Sequence, residues 1–399
     1  MIALDSTKQT GPLAGVRVID LTINVLGPVA TQIMGDMGAD VIKIEPPQGD
    51  PMRDTGVSRN PGMSAFFLNM NRNKRSVVLD LKKPKGMDAL LRLVSDADVL
   101  IHSMRPGAAR RLGLDYAKLE KQFPKLILAS APGYDPNGPF RDKPAYDDVI
   151  QGESGFADML SRTTGTPRYL PVVAVDKTCG VFLSSSISMA LFSRERTGKG
   201  QQVQVPMLES TLAFNLIEHL SNGTYGEADG LGYSRALSAG RRPYKTKDGF
   251  MCVLAVNDEQ WRRLLCALGR PDVFDNPKFS TMSQRTQNIS DLYEILSAAI
   301  AEHDSAELDA ILTKADIPHG PMNRLVDLFS NEYLKETSFF QEYYHPSEGR
   351  IITTRIPQQF SGTPPSIRLP PPKLGQHTRS VLQEFGFTPS EIQELVQSN

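Results

Sequence analysis

The sequence predicts an α/β protein in two parts: a large domain built on a parallel β-sheet with helical cover, and a smaller α+β domain. Three observations carry this. Short β-branched runs alternate with helix-patterned stretches from residue 16 to residue 131. At 399 residues the chain exceeds what one hydrophobic core ordinarily organises. A glycine-rich, irregular stretch at 223–242 then breaks the alternation, as a linker between domains does.

Taken in order, "VRVIDL" (16–21) reads as a strand, and Pro28 suits the first turn of a helix that Gly38 ends. "ADVIKIE" (39–45) is a second strand and "RSVVLDL" (75–81) a third. "KGMDALLRLVSDA" (85–97) spaces its apolar residues as a helix does, and "DVLIHS" (98–103) follows as a strand. "DYAKLEKQF" is a short helix leading into the strand "KLILASA" (125–131). A long helix follows Asp176 and stops at "RERTGKG", basic residues before glycine. "QQVQVPM" (201–207) is a strand and 208–222 a helix. The arrangement is Rossmann-like. Beyond the linker, "PYKTKDGFMCVLAV" (243–256) reads as a hairpin turning at Asp248-Gly249, and helices are expected over 258–269, 288–302 and 305–314. The domain reading is 1–222 for the first part of the large domain, 223–242 for the linker and 243–330 for the small domain. Residues 331–399 form a return linker and the C-terminal part of the large domain.

Composition narrows the function classes. Forty-four basic residues balance forty-five acidic ones, which leaves no electrostatic footprint for nucleic acid. Cys179, Cys252 and Cys266 are odd in number and lack a CxxC spacing, so neither a disulfide framework nor a zinc knuckle is expected. No secretory pattern and no membrane-length apolar run occurs, and the expected location is cytoplasmic, away from membranes. The turn after the first strand, "LTINVLGP", lacks the GxGxxG glycines, and Glu45 alone makes only a minor case for a dinucleotide enzyme. There is no P-loop, no GxSxG elbow and no metal-ligand spacing among the histidines, so no metal and no prosthetic group are expected.

Three constellations remain, each with two readings. In "VVAVDKTCG" (172–180), Asp176 is either a helix N-cap or a nucleophile at the positive end of the helix. The basic loops "NRNKR" (71–75) and "MRPGAARR" (104–111) are either solvated or hold a polyanion at the sheet edge. In "KPAYDD" (143–148), Tyr146 and Asp147 either line a site or cap the next helix.

Together these pieces resemble the class III CoA-transferase family, the group of formyl-CoA transferase, carnitine CoA-transferase and α-methylacyl-CoA racemase. The resemblance rests on "GPLAGVRVIDLT", "GPVATQIMGDMGADVIKIEPPQGDPMR", "NRNKRSVVLDLK", "RPGAARRLGLDY", "ASAPGYDPNGPFRDKPAYDDVIQG", "RRPYKTKDGF", "IPHGPMN" and "LGQHT", in the family's order along nearly the whole chain. It implies that Asp176 is the nucleophile, kept ionised by the helix dipole, with Tyr146 and Asp147 beside it. Coenzyme A would enter as a thioester substrate, held by Leu26, Gly27, Lys74, Arg75 and Arg105. The family's reaction moves CoA from an acyl-CoA to a small carboxylic acid through an aspartyl anhydride and an aspartyl–CoA thioester. Thr178, Cys179 and Gly180 are expected to offer N–H groups to the developing oxyanion. The resemblance also implies a homodimer of interlocked rings, which suits the long segments 223–242 and 345–372.

The chain departs from the formyl-CoA transferases at Val25 and Pro46, where some carry Gln and Arg, and in lacking their glycine-rich loop near 230–242. These departures argue against formyl-CoA and oxalate. The racemase branch uses a histidine near position 146, and the tyrosine here disfavours that second reading, an acyl-CoA racemase or isomerase. A third reading is a CoA-binding protein without turnover, in which Asp176 only caps its helix.

Overall fold

The computed structural model describes residues 1–5 and 9–398. Its centre is a six-stranded sheet of strands β1 (Arg17–Asp20), β2 (Asp40–Glu45), β3 (Lys74–Val78), β4 (Val99–His102), β5 (Ile127–Ser130) and β6 (Gln202–Gln204). The strand order is β3-β2-β1-β4-β5-β6, and every neighbouring pair is parallel. Each strand falls inside a run read from the sequence as a strand, except that β3 begins one residue earlier, at Lys74. The central strands are apolar on both faces, as a sheet covered twice requires. Strand order reverses between β1 and β4, which opens a crevice beyond their carboxyl ends.

One face of the sheet contributes Ile19, Ile42, Leu100 and Leu128 to a core that takes Leu90 and Leu93 from the helix Pro84–Val94. The same core buries Val381, Leu382, Ile392 and Leu395 from the two closing helices, Thr378–Glu384 and Pro389–Ser398. The helix Leu26–Asp36, in the β1–β2 connection, ends where Gly38 takes φ +101°. It packs against the long helix Ala174–Thr197, and Gly180 sets how closely. A Cβ on Gly180 would sit 2.7 Å from the carbonyl oxygen of Leu26.

Beneath the crevice lies a dry ionic cluster. Lys43 pairs with Asp50 at 2.9 Å and donates to the carbonyl of Thr22. Lys74 faces Asp20 at 3.5 Å and donates to the carbonyl of Pro28 and to Asn71. Asp20 also accepts from the hydroxyls of Thr22 and Thr31. Buried charges persist only when paired and hydrogen-bonded, and among these partners the Thr22 and Pro28 carbonyls and the Thr22 hydroxyl belong to the β1–helix turn. The cluster therefore fixes residues 21–28.

The chain divides into two units. The first comprises 1–154, 171–213 and 336–399; the second comprises 155–170 and 214–335. Segment 155–170 thus belongs with the second unit, although it lies within the run read from the sequence as one large domain. The second unit holds an antiparallel sheet of β7 (Tyr244–Lys245), β8 (Phe250–Val253) and β9 (His319–Pro321). Its core gathers Trp261, Leu264, Leu292, Leu296, Leu308 and Leu312.

In the first unit, the stretch read as a linker from 345 contains a hairpin instead, β10 (Phe340–His345) with β11 (Gly349–Thr354). The β-branched run "IITT" accounts for its second strand. The proline-rich residues that follow are extended and pinned to the sheet. Asn73 accepts from the N–H groups of Arg368 and Leu369, and His377 and Ser76 exchange hydrogen bonds.

Candidate active site

A cavity of about 630 Å³ occupies the crevice, lined by the segments that follow the strand ends. Leu21, Ile23, Asn24 and Leu26 come from beyond β1, Glu45 and Pro46 from β2, Leu79–Lys82 from beyond β3, Ser103–Arg105 from beyond β4, and Ala131–Gly133 from beyond β5. Lys143–Tyr146 and Asp176 close it.

Asp176 stands at the third position of its helix, and Val173 is the residue at the cap. The aspartate does not cap this helix. Instead Asp147, from the helix Asp147–Glu153, accepts the Asp176 backbone N–H at 3.0 Å. Gln151 donates to the other oxygen of Asp147 and, at 3.4 Å, to the carbonyl of Val172. The carboxylate that satisfies the helix start is thus borrowed from another helix, and the side chain of Asp176 is left for the cavity. Among the described residues none donates a hydrogen bond to that side chain.

This geometry corrects the expectation of a dipole-stabilised anion. The helix N-terminus favours negative charge. Burial opposes it, and so do the neighbouring carboxylates of Asp147 and Asp148, which together push Asp176 from 3.8 up to about 7. The proposed oxyanion donors are corrected as well. Thr178, Cys179 and Gly180 lie beyond the first turn, where α-helical N–H groups bond the carbonyl four residues back. Cys179 is buried and its thiol is pushed up to about 12, chiefly by that burial.

The other expected residues separate into two sets. Tyr146, at the start of its helix, lines the cavity together with Leu26 and Arg105. Gly27 supports that wall from behind, since a Cβ there would meet the Thr22 side chain at 2.2 Å. Lys74 and Arg75 do not line the cavity. Lys74 is fully buried in the ionic cluster, and its burial lowers its pKa to about 7. Arg75 lies at the amino end of β3, paired with Asp40 and Glu384. Two strand residues separate it from Val78, three steps or about 10 Å along the chain. Glu45 is likewise committed, gripped by Arg53 through two 2.7 Å contacts, which removes it as a ribose ligand.

The structure adds Lys82, which the sequence reading did not single out, and selects Arg111 from the basic loop 104–111. Lys82 and Arg111 line the cavity, and among the described residues their side chains have no hydrogen-bond or ion-pair partner. Lys143 also lines it, already paired with Glu153. The usable signal was position: both Lys82 and Arg111 follow the carboxyl end of a strand, the end where parallel sheets place ligands. Among the described residues no histidine lines the cavity. Among the described residues no group of three or more His, Cys, Asp and Glu is placed to hold a metal ion, and no helix is long and apolar enough to cross a membrane.

A buried carboxyl without donors among the described residues thus faces a roomy cavity that Lys82 and Arg111 also line. Comparison with known proteins gives the chain its family. The profile of CoA-transferase family III matches residues 13–378. Succinyl-CoA:glutarate CoA-transferase of Mus musculus is 35% identical over 383 residues, covering 95% of this chain and 87% of its own. Succinate–glutarate CoA-transferase of Agrobacterium fabrum is 32% identical, covering 96% and 97%. A CAIB/BAIF family protein from Brucella suis superposes with a TM-score of 0.79 at 29% identity, covering 94% of this chain and all of its own. The chain belongs to CoA-transferase family III and is an enzyme of that class.

Proposed function

We propose that this enzyme moves CoA from an acyl-CoA donor to a carboxylic acid acceptor, with Asp176 as the covalent carrier. The observation that supports this best is the Asp176 carboxyl itself, donor-free and aimed into the cavity. The ionised carboxylate attacks the thioester carbonyl, and the C–S bond breaks to release CoA thiolate and leave a mixed anhydride. The thiolate attacks the aspartyl carbonyl, forming an Asp176–CoA thioester and freeing the first acid as its carboxylate. The acceptor carboxylate then attacks that thioester, and the thiolate returns to the acceptor's carbonyl, regenerating Asp176. Each step exchanges a carboxylate for a thiolate, so no net proton is needed. Splitting the exchange in this way lowers the barrier of each part.

Arg105, Lys82 and Arg111 are proposed to hold the phosphates of CoA, the last two being free cations at the cavity. Leu26 and Gly27 form the wall beside the thioester arm. Lys74 would act through its hydrogen bond to Pro28, holding that wall in place. Arg75 has a structural part at the far strand end. Tyr146 positions the acyl group, and Asp147 orients the start of the nucleophile's helix. Succinyl-CoA and glutarate are the first pair to assay, because the relatives at 35% and 32% identity carry those substrates in their names.

A racemase would need a group able to take a proton from carbon near neutral pH. Tyr146 suits that poorly, and among the described residues no histidine lines the cavity. A homodimer is proposed as well. The Asp176 helix exposes Val181, Phe182, Met189 and Phe192, an apolar face that a second copy would cover. The free cysteines accord with a cytoplasmic setting.

Intact-protein mass spectrometry after brief mixing with a panel of acyl-CoAs tests the carrier role. Wild type should gain the mass of CoA with at least one donor, and Asp176→Ala should gain none. Binding of CoA without any adduct would overturn the proposal in favour of a protein that only binds.

A further inference from the structure

The sheet register sets three polar side chains in a row at the carboxyl ends of β4, β5 and β6. His102 pairs with Ser130, and Ser130 with Gln204. Residues paired across neighbouring strands show their side chains on the same face. Here that face carries the apolar Leu100 and Leu128 one step earlier on each of the first two strands. The row thus replaces core residues with polar ones just where the helical cover ends. Above it is a cavity of about 330 Å³, also lined by Asn137, Arg110 and Gln202.

His102 and Ser130 are each 4% exposed. The imidazole Nδ1 accepts the Met104 N–H at 3.3 Å, which leaves Nε2 as the N–H donor of a neutral ring. Neither that donor nor the Ser130 hydroxyl has a hydrogen-bond partner among the described residues. Both donors open into the cavity from side chains that are otherwise buried, and two of them in one row mark a place for a ligand.

We propose that this cavity is a second small-molecule site and that it takes a small organic carboxylate. Its polar lining is rich in donors: the imidazole N–H, the hydroxyl, the amides of Gln204 and Asn137, and the Arg110 guanidinium. The one acidic side chain, Asp115, is already engaged in capping, accepting the Ala117 N–H. Met104, Leu114, Pro106 and Pro136 offer apolar contact for a short carbon chain. The site is not the Asp176 cavity. The helix Pro106–Arg111 stands between them, with Ala108 and Arg111 on one side and Ala109 and Arg110 on the other, while Met104 and Pro132 line both. Because Met104 and Pro132 are shared, the test turns on Gln204 and Arg110, which line only the second cavity.

The test is a ligand titration of the full chain, carbon-13 labelled at histidine and saturated with CoA, with succinate as the probe. The His102 ring signal is identified from its loss in His102→Gln. Succinate should move that signal saturably. Gln204→Leu and Arg110→Ala, both at exposed positions, should each weaken the fitted dissociation constant about tenfold, the effect of one lost charge-assisted or neutral hydrogen bond. A His102 signal that does not move, one that moves equally with inorganic phosphate, or affinity unchanged in both variants overturns the proposal.

Discussion

Replacing Asp176 with asparagine removes a carboxyl whose ionisation the fold opposes, and the stability of the variant measures that opposition. Burial, with Asp147 and Asp148 nearby, raises the carboxyl from 3.8 to about 7. In the unfolded chain it titrates near its ordinary value. Between those values the native state keeps a proton that the unfolded state has lost, so stability falls as pH rises and levels off above about 7. At about 1.4 kcal/mol for each tenfold in an ionisation equilibrium, the anion costs the fold about 4 kcal/mol once fully formed. Asparagine carries no such cost. The stability difference in favour of Asp176→Asn should therefore grow by about 2–3 kcal/mol between about pH 5 and about pH 8. Urea unfolding of both proteins at matched pH, followed by circular dichroism, reads it directly. The trend decides, not the absolute value, because asparagine also changes local contacts. A difference that stays flat, or that shrinks as pH rises, would refute the reasoning and restore the picture of an anion held by the helix dipole.

Further outcomes follow from the same geometry. The rate of CoA-adduct formation should rise through pH 7 as Asp176 ionises; Asp147→Asn removes one of the charges raising it, so this acid limb should move to lower pH in rapid-quench mass spectrometry. Arg111→Ala should raise KM for acyl-CoA about tenfold with kcat little changed, whereas Arg75→Ala should leave KM alone and lower stability by about 1–2 kcal/mol, seen by steady-state kinetics beside thermal melts. Gly180→Ala forces its methyl against the Leu26 carbonyl and should destabilise by about 1–3 kcal/mol in denaturant unfolding.

Much of the large unit was legible from residue pattern alone. β1 to β5 are short runs rich in Val, Ile and Leu, bounded by turn residues, and runs buried on both faces keep that signature whatever surrounds them. The hairpin of β10 and β11 was not legible, because its first strand, "FQEYYH", has no apolar alternation, and a hairpin declares itself only when both strands do. The segment 155–170 was read with the large domain because a helix patterns the same way in either unit.

At the site the division is sharper. Sequence by itself determined which side chains are chemically able to act: an aspartate at a helix start, a tyrosine and two carboxylates ahead of it, and basic residues near strand ends. Tertiary structure decided which of them face one space and in what charge state. Lys74 and Arg75 sit beside Lys82 in the sequence, yet strand direction carries only Lys82 past the sheet's carboxyl end, to the cavity. The affinity of Asp176 for its proton is raised first by burial and then by Asp147, 29 residues away in the chain yet accepting the Asp176 backbone N–H. Composition and spacing record what a residue is. Burial and through-space charge depend on which distant segments fold beside it, and only the packed chain brings those together.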